Sequence, residues 1–298
     1  MLSKRANLQS VAIAAILAHA GLAQPVSELL EQKTLAQIQR FADGFDGVVG
    51  VAAIDLTSGR TFAFHGDTQF ATASTIKIPI LIRLFQDVRA GKLQLNQQIT
   101  LQPSEAVGGS GYLQNDLKKG PVTLSLRELI TRMIQDSDNT ATNKCIDLVG
   151  METVNPMLES MGFHQTRLLR KMMDSAAAEH DRENVSTPNE MARIAELIYR
   201  GKAVDAEASA EMIGFMKKVI GGIHEGLPLD VETATKTGEL PGARCETGIV
   251  FLEHRPFVLS VMSGYIDDRR SPVPEVTRIV YRYFEKLALS NRYGRSIH

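Results

Sequence analysis

The spacing of apolar residues changes twice along this chain, and that change restricts the fold more than any other feature. Toward both ends the apolar residues fall in β-rich runs: Val48 to Leu56 and Arg60 to His65, then Ala234 to Thr237, Thr247 to Leu252 and Phe257 to Gly264. Thr57-Ser58-Gly59 joins the first two as a hairpin, with glycine supplying the positive φ. Between about Thr75 and Gly201 the spacing shifts to threes and fours, which predicts helix throughout. Ile80, Leu81, Leu84, Phe85 and Val88 share one face of a first helix, and Ser125 with Glu128 opens a second as a capping box. A third runs from Thr140 to Val149 and stops at Gly150, and a fourth opens on Thr187-Pro188-Asn189-Glu190, again read as a capping box, and ends at Gly201. Helical stripes at Pro25 to Phe41 and Val276 to Leu287 flank the whole. The expectation is an α/β fold in which strands from both ends join one antiparallel sheet with the terminal helices packed on it. Residues 24–70 and 205–298 form an α/β domain, residues 71–204 an inserted all-α domain, and a cleft opens where the two meet.

Composition narrows the function classes. With 298 residues, 44% hydrophobic and 22% charged, the chain can bury a large core as a monomer without a partner. A net charge of -1 offers no electrostatic reason to bind nucleic acid or an anionic membrane. Cys145 and Cys245 make no disulfide framework and no metal spacing, and the seven histidines include no His-x-x-x-His pair, so no metal and no cofactor is expected. Lys4 and Arg5, the apolar stretch Val11 to Leu17, and Gly21-Leu22-Ala23 make residues 1–23 read as a cleaved signal peptide, so a periplasmic or secreted setting is expected. No later stretch reaches the roughly 18 apolar residues of a membrane span.

Three short motifs carry the chemistry. Ser74-Thr75-Ile76-Lys77 sets a hydroxyl and an amine one helical turn apart at a helix start, which gives a serine nucleophile an adjacent base and a positive N-terminal potential. Ser137-Asp138-Asn139 falls in the connection between two helices, where a second hydroxyl and an amide can relay a proton and orient a substrate amide; by itself it also reads as an N-cap. Lys236-Thr237-Gly238 lies on a strand and offers a cation, a hydroxyl and bare backbone to a substrate carboxylate. Tyr112 follows the glycine-rich stretch Gly108-Gly109-Ser110-Gly111 at a cleft edge, and Arg244 could reach a carboxylate through a bidentate contact or stand as a solvated strand-end charge.

In this order and in these contexts, the three motifs resemble those of the class A β-lactamases, a family of penicillin-recognising serine hydrolases, and the resemblance covers most of the chain after the leader. It implies a three-layer sandwich around a five-stranded antiparallel sheet beside the helical domain, with the site between them. It also implies roles: Ser74 acylated, Lys77 assisting its deprotonation, Ser137 passing a proton to the leaving nitrogen, and Asn139 holding a substrate amide. Lys236 and Thr237 would bind a carboxylate, and the backbone N–H groups of Ser74 and Glu239 would form an oxyanion hole.

The departure is in the loop before Thr187-Pro188. The family carries Glu-x-x-Leu-Asn there, whose Glu activates the deacylating water, and this chain has no such segment. Counting from Arg167 and Arg170 brings Met172 to that place, with Asp174 as the possible substitute base and Glu179, Asp181 and Glu183 nearby. The family's disulfide is absent as well, since no cysteine lies near Leu81 or Ile130. The sequence therefore predicts a β-lactam amide hydrolase acting through a Ser74 acyl-enzyme, with alternatives in a D-alanyl peptidase, a small-ester hydrolase or a slowly deacylating penicillin-binding protein.

Overall fold

The computed structural model describes residues 25–267 and 270–297, so the leader assigned to residues 1–23 lies outside it. In chain order the elements are α1 (Val26–Asp43), β1 (Val48–Asp55), β2 (Thr61–Phe64), β3 (Phe70–Ala71), α2 (Lys77–Arg89), β4 (Gln98–Leu101), α3 (Leu113–Leu117), β5 (Val122–Ser125), α4 (Leu126–Ile134) and α5 (Asn139–Val149). There follow α6 (Met151–Ser160), α7 (Ser175–Glu179), β6 (Val185–Ser186), α8 (Pro188–Tyr199), α9 (Ala206–Met216), α10 (Gly222–Glu225), β7 (Thr233–Leu240), β8 (Ala243–Val250), β9 (Phe257–Gly264) and α11 (Val273–Ala288).

The two chain ends meet as expected. One five-stranded sheet runs β2-β1-β9-β8-β7, every pair antiparallel. Alternation along the strands sends Val49, Val51, Ala53, Leu259 and Val261 to one face, where Ile38 of α1 and Val276, Val280 and Phe284 of α11 cover them. Ala52, Ile54, Ala234, Ile249, Val258 and Met262 point to the other face and join a core continuous with the central helices. At the middle of that core α2 buries Ile78, Ile80, Leu81, Ile82 and Leu84 completely, because its apolar first half must be surrounded on all sides, while Arg83, Gln86 and Arg89 of its second half reach toward water.

Two details differ from the sequence reading. The stretch 75–201 is not helical throughout: Gln98–Leu101 pairs with Val122–Ser125, and β3 pairs with β6. Ile99 and Leu101 alternate inward against exposed Gln98 and Thr100, but four residues whose partner lies more than twenty positions away carry too short a pattern to stand out among helices. The box at Thr187 is half a box as well. Thr187 caps α8 by accepting from Glu190 N at 3.2 Å, whereas the Glu190 carboxylate accepts from the N–H groups of His164, Gln165 and Thr166 and so ties down the segment after α6. The Ser125 box forms in full.

Gly238 controls how closely β7 approaches the turn Ala73–Ile76 that leads into α2. A Cβ there would stand 2.8 Å from Thr72 O and 3.1 Å from Ser74 N, closer than a side chain tolerates. Gly238→Ala is therefore expected to cost about 1–3 kcal/mol through overpacking. A thermal melt should show a fall of roughly 3–10 °C, and covalent labelling of Ser74 should slow because the strand is pushed off its turn; an unchanged melt and labelling rate would contradict this.

Candidate active site

Ser74 sits in that short turn, preceded by Ala73 in the left-handed region at φ 47°, a conformation an L-residue adopts only when its surroundings hold it there. Lys77 follows one turn later as the first residue of α2 and is fully buried. Its Nζ donates to the backbone oxygen of Ser137 at 2.7 Å, to Ser137 Oγ at 3.1 Å and to Asn139 Oδ1 at 3.2 Å. The Ser74 hydroxyl is not among its partners. From β7, Lys236 reaches the same point: fully buried, it donates to Ser137 Oγ at 3.1 Å and to Thr237 O at 2.9 Å. All three sequence motifs thus converge on the Ser137 hydroxyl.

The local sequence explains how the middle motif is held. Both readings of it are realised, on different residues. Asp138 is the N-cap of α5, accepting from Ala141 N at 2.8 Å, and its other oxygen accepts from Leu113 N at 2.8 Å, which fastens the glycine-rich stretch to the site. With Asp138 fixed, Ser137 is held at φ 52° and Asn139 Nδ2 donates to Gly108 O at 3.2 Å. Gly111 can lie against Asp138 only because it has no side chain, since a Cβ would collide with that carboxylate.

Electrostatics separate the two lysines. Burial lowers the affinity of Lys77 for its proton well below the ordinary lysine range, and the charge of Lys236 lowers it further. Burial also pushes Lys236 down to about 8, while Glu246 on the neighbouring strand opposes that shift. Cys145 lies inside the core near Lys77 with its thiol pushed far up by burial, and Cys245, pushed up to about 12, donates to Ala71 O; both are free and inert as thiols. No cluster of three metal-ligating side chains occurs among the described residues.

A cavity of about 540 Å³ adjoins Ser74 and is lined by Gly109, Asn139, Arg170, Met172, Asp174 and Glu239 among others. Its wall is the loop 167–185. Arg170 binds Glu183 with two contacts of 2.9 Å, and Asn184 accepts from the N–H groups of Leu169 and Arg170, closing the loop on itself. Met172 is nearly buried and faces the cavity, with its backbone N–H and C=O both held by the Asn143 amide at 2.8 and 3.0 Å. Asp174 also lines the cavity, exposed, with one oxygen capping α7 by accepting from Ala177 N.

Other predicted residues fall outside this centre. Tyr112 is 65% exposed at the start of α3 and does not line the cavity. Arg244 pairs with Glu239 at 2.8 Å and donates to Leu240 O and Ala243 O, so its guanidinium braces the β7–β8 hairpin. Asn143 and Glu246 escaped the sequence reading. Asn143 stands four residues after Asn139 on the same helical face, and Glu246 is the one acid in a strand that ends on the apolar Ile249 and Val250; those were the available signals. Asp138→Ala should cost about 2–4 kcal/mol through the lost cap and the freed Leu113 N–H, and urea denaturation with fluorophosphonate labelling should show lower stability and slower reaction at Ser74.

Comparison with known proteins gives the family of the chain. A family profile described as "Beta-lactamase enzyme family" matches residues 33–284. The chain is 27% identical over 256 residues to beta-lactamase SME-1 of Serratia marcescens, an alignment covering 82% of this chain and 86% of that protein. The crystal structure of a beta-lactamase from Sphaerobacter thermophilus is 28% identical with a TM-score of 0.77, spanning 86% of this chain and 97% of the other. A glutamate-for-leucine mutant of PBP-A, solved as an acyl-enzyme complex with penicillin G, is 27% identical with a TM-score of 0.77, covering 87% and 97%.

Proposed function

Because the chain belongs to the beta-lactamase enzyme family, we propose that it is a serine hydrolase that opens β-lactam amides through an acyl-enzyme on Ser74 and releases the acyl group slowly. The observation that carries this reading is the Ser137 hydroxyl, 3.1 Å from both the Lys77 and the Lys236 nitrogens. Lys77, whose burial favours the neutral amine, takes the Ser74 proton as Oγ attacks the lactam carbonyl. The N–H groups of Ser74 and Glu239 receive the oxyanion. As the C–N bond breaks, Ser137 gives its proton to the leaving nitrogen and is reprotonated from Lys77, so the Ser74 proton ends on the product amine. Asn139 takes the substrate's side-chain amide, and Lys236 with Thr237 takes its carboxylate. Arg244, already committed to the hairpin, adds little to that anchor.

Deacylation needs a second base for water, and the family's loop Glu has Met172 in its place. Asp174 lines the same cavity but is engaged as a helix cap. The PBP-A variant held as a penicillin G acyl-enzyme supports acylation of a serine in this fold. An apolar Met172 also favours a second reading, in which the same serine serves as a D-alanyl peptidase or small-ester hydrolase and a β-lactam acts mainly as a trap. The basic start and apolar run of residues 1–23 support an exported protein.

Mixing the enzyme with a chromogenic cephalosporin is expected to give a burst near one equivalent, then slow turnover, with an acyl adduct on the Ser74 peptide. Ser74→Ala should remove both phases. Met172→Glu should raise the slow rate by roughly 10²- to 10⁴-fold, the usual worth of a positioned general base, while Asp174→Asn should leave it unchanged. Fast linear hydrolysis without an adduct would refute slow deacylation, and D-alanyl peptides or p-nitrophenyl esters turned over far faster than any β-lactam would establish the second reading.

A further inference from the structure

Lys77 and Lys236 head the fully buried side chains of this protein, and among the described residues neither is in an ion pair. Two ammonium groups out of water on one hydroxyl repel each other, so the surroundings must decide which becomes the base and which remains the cation. Asp138 acts electrostatically on Lys77, and its carboxylate is already taken up by the Ala141 and Leu113 N–H groups. Glu246 acts on Lys236, and its situation is different.

Glu246 is 2% exposed in the interior of β8, directly opposite Thr237 and one step from Lys236, whose own partner is Thr247. The segment entering α10 lies across it. A Cβ on Gly221 would stand 2.7 Å from both carboxylate oxygens, so only bare backbone fits there. Ile223 N donates to Oε2 at 3.1 Å, while Oε1, though buried, has no hydrogen-bond partner of ordinary geometry. Thr235 and Thr237 face it from β7, Val261 pairs with it from β9, and the entry to α10 supplies backbone N–H groups. Among these neighbours Lys236 is the charged group that acts on it. Burial pushes the Glu246 carboxyl up to about 7, and the contacts from Ile223 N, the Thr235 hydroxyl and Gly222 N, together with the charge of Lys236, oppose that shift without cancelling it.

We propose that Glu246 is a positioning residue: its buried carboxylate, behind the strand that carries Lys236, is the counter-charge that keeps Lys236 an ammonium while Lys77 acts as the neutral base. Only the catalytic consequence rests on the β-lactamase reading above; the charge relation between Glu246 and Lys236 does not. Because Lys236 and Glu246 lie on adjacent strands rather than in contact, the coupling acts through low-dielectric protein, where an opposite charge shifts a neighbour by about one unit or more.

The test titrates the full protein carrying 13C-labelled lysine, with the Lys236 signal assigned through Lys236→Arg. In the native protein its midpoint should fall near 8, with a second inflection near 7 as Glu246 ionises. Glu246→Gln should lower the midpoint by about one unit and remove the inflection, and Glu246→Asp, which keeps the charge, should restore both. An unmoved midpoint in Glu246→Gln, or an equal drop in Glu246→Asp, would overturn the proposal; should the Gln variant fail to fold, absence of the inflection in the native protein would do the same. In parallel, Glu246→Gln should move the alkaline limb of Ser74 acylation to lower pH for benzylpenicillin and less for a neutral p-nitrophenyl ester, and equal movement for both would remove the link to the substrate carboxylate. If the native protein never reacts with benzylpenicillin, the proposed function fails while the titration still decides the role of Glu246.

Discussion

Two lysines buried against one serine hydroxyl are the constraint on which the rest of this structure depends. Each has a folded-state proton affinity below its unfolded value, so each withdraws stability as the pH falls from the ordinary lysine range toward its folded pKa. Strain accompanies it, since Ala73 and Ser137 both occupy the left-handed region that non-glycine residues avoid. A molecule keeps such an arrangement only where the surrounding scaffold over-determines it. Here it does so with the buried first half of α2, the Asp138 cap and a β7 edge that can close in because residue 238 is glycine.

The same scaffold explains why the site lies where it does. α2 sits at the centre of the helical core because its first half is apolar apart from Lys77, and β7 must sit at the edge of the sheet because its other neighbour is the Ser74 turn rather than a strand. A buried helix start carrying Lys77 and a largely buried edge strand carrying Lys236 are thereby brought together. On the proposed function the first supplies N–H groups and a base and the second a cation for the substrate.

On the other side of the cavity the loop 167–185 is tied to itself and to α5. Its Arg170–Glu183 and Asn184 contacts, and the grip of Asn143 on Met172, hold the Met172 thioether against the cavity. On the proposed function, acylation and deacylation draw on different groups. Lys77, Ser137, Asn139 and Lys236 form a connected hydrogen-bonded set, whereas the loop presents to the cavity the apolar Met172 and an exposed Asp174 carboxylate already used as a cap.

Much of this was legible in the sequence because it depends on local pattern. Strand alternation, helix stripes, the Ser125 box and the three motifs each express a preference of neighbouring residues, and they sufficed for the antiparallel sheet, for the helices between its two halves and for the meeting of Lys77, Ser137 and Lys236. Tertiary structure alone decided what depended on residues far apart in the chain. The β4–β5 ladder needed a partner beyond a helix, and Glu190 left its expected role in the cap to bind N–H groups at 164–166. Arg244 turned to the hairpin instead of the cleft, and Glu246 became important only once folding had placed it behind Lys236 and out of water. A residue's type and spacing state what it is able to bind; which of those partners it meets, and how dry the meeting place is, are settled when distant segments pack, and in this protein the dryness sets the chemistry.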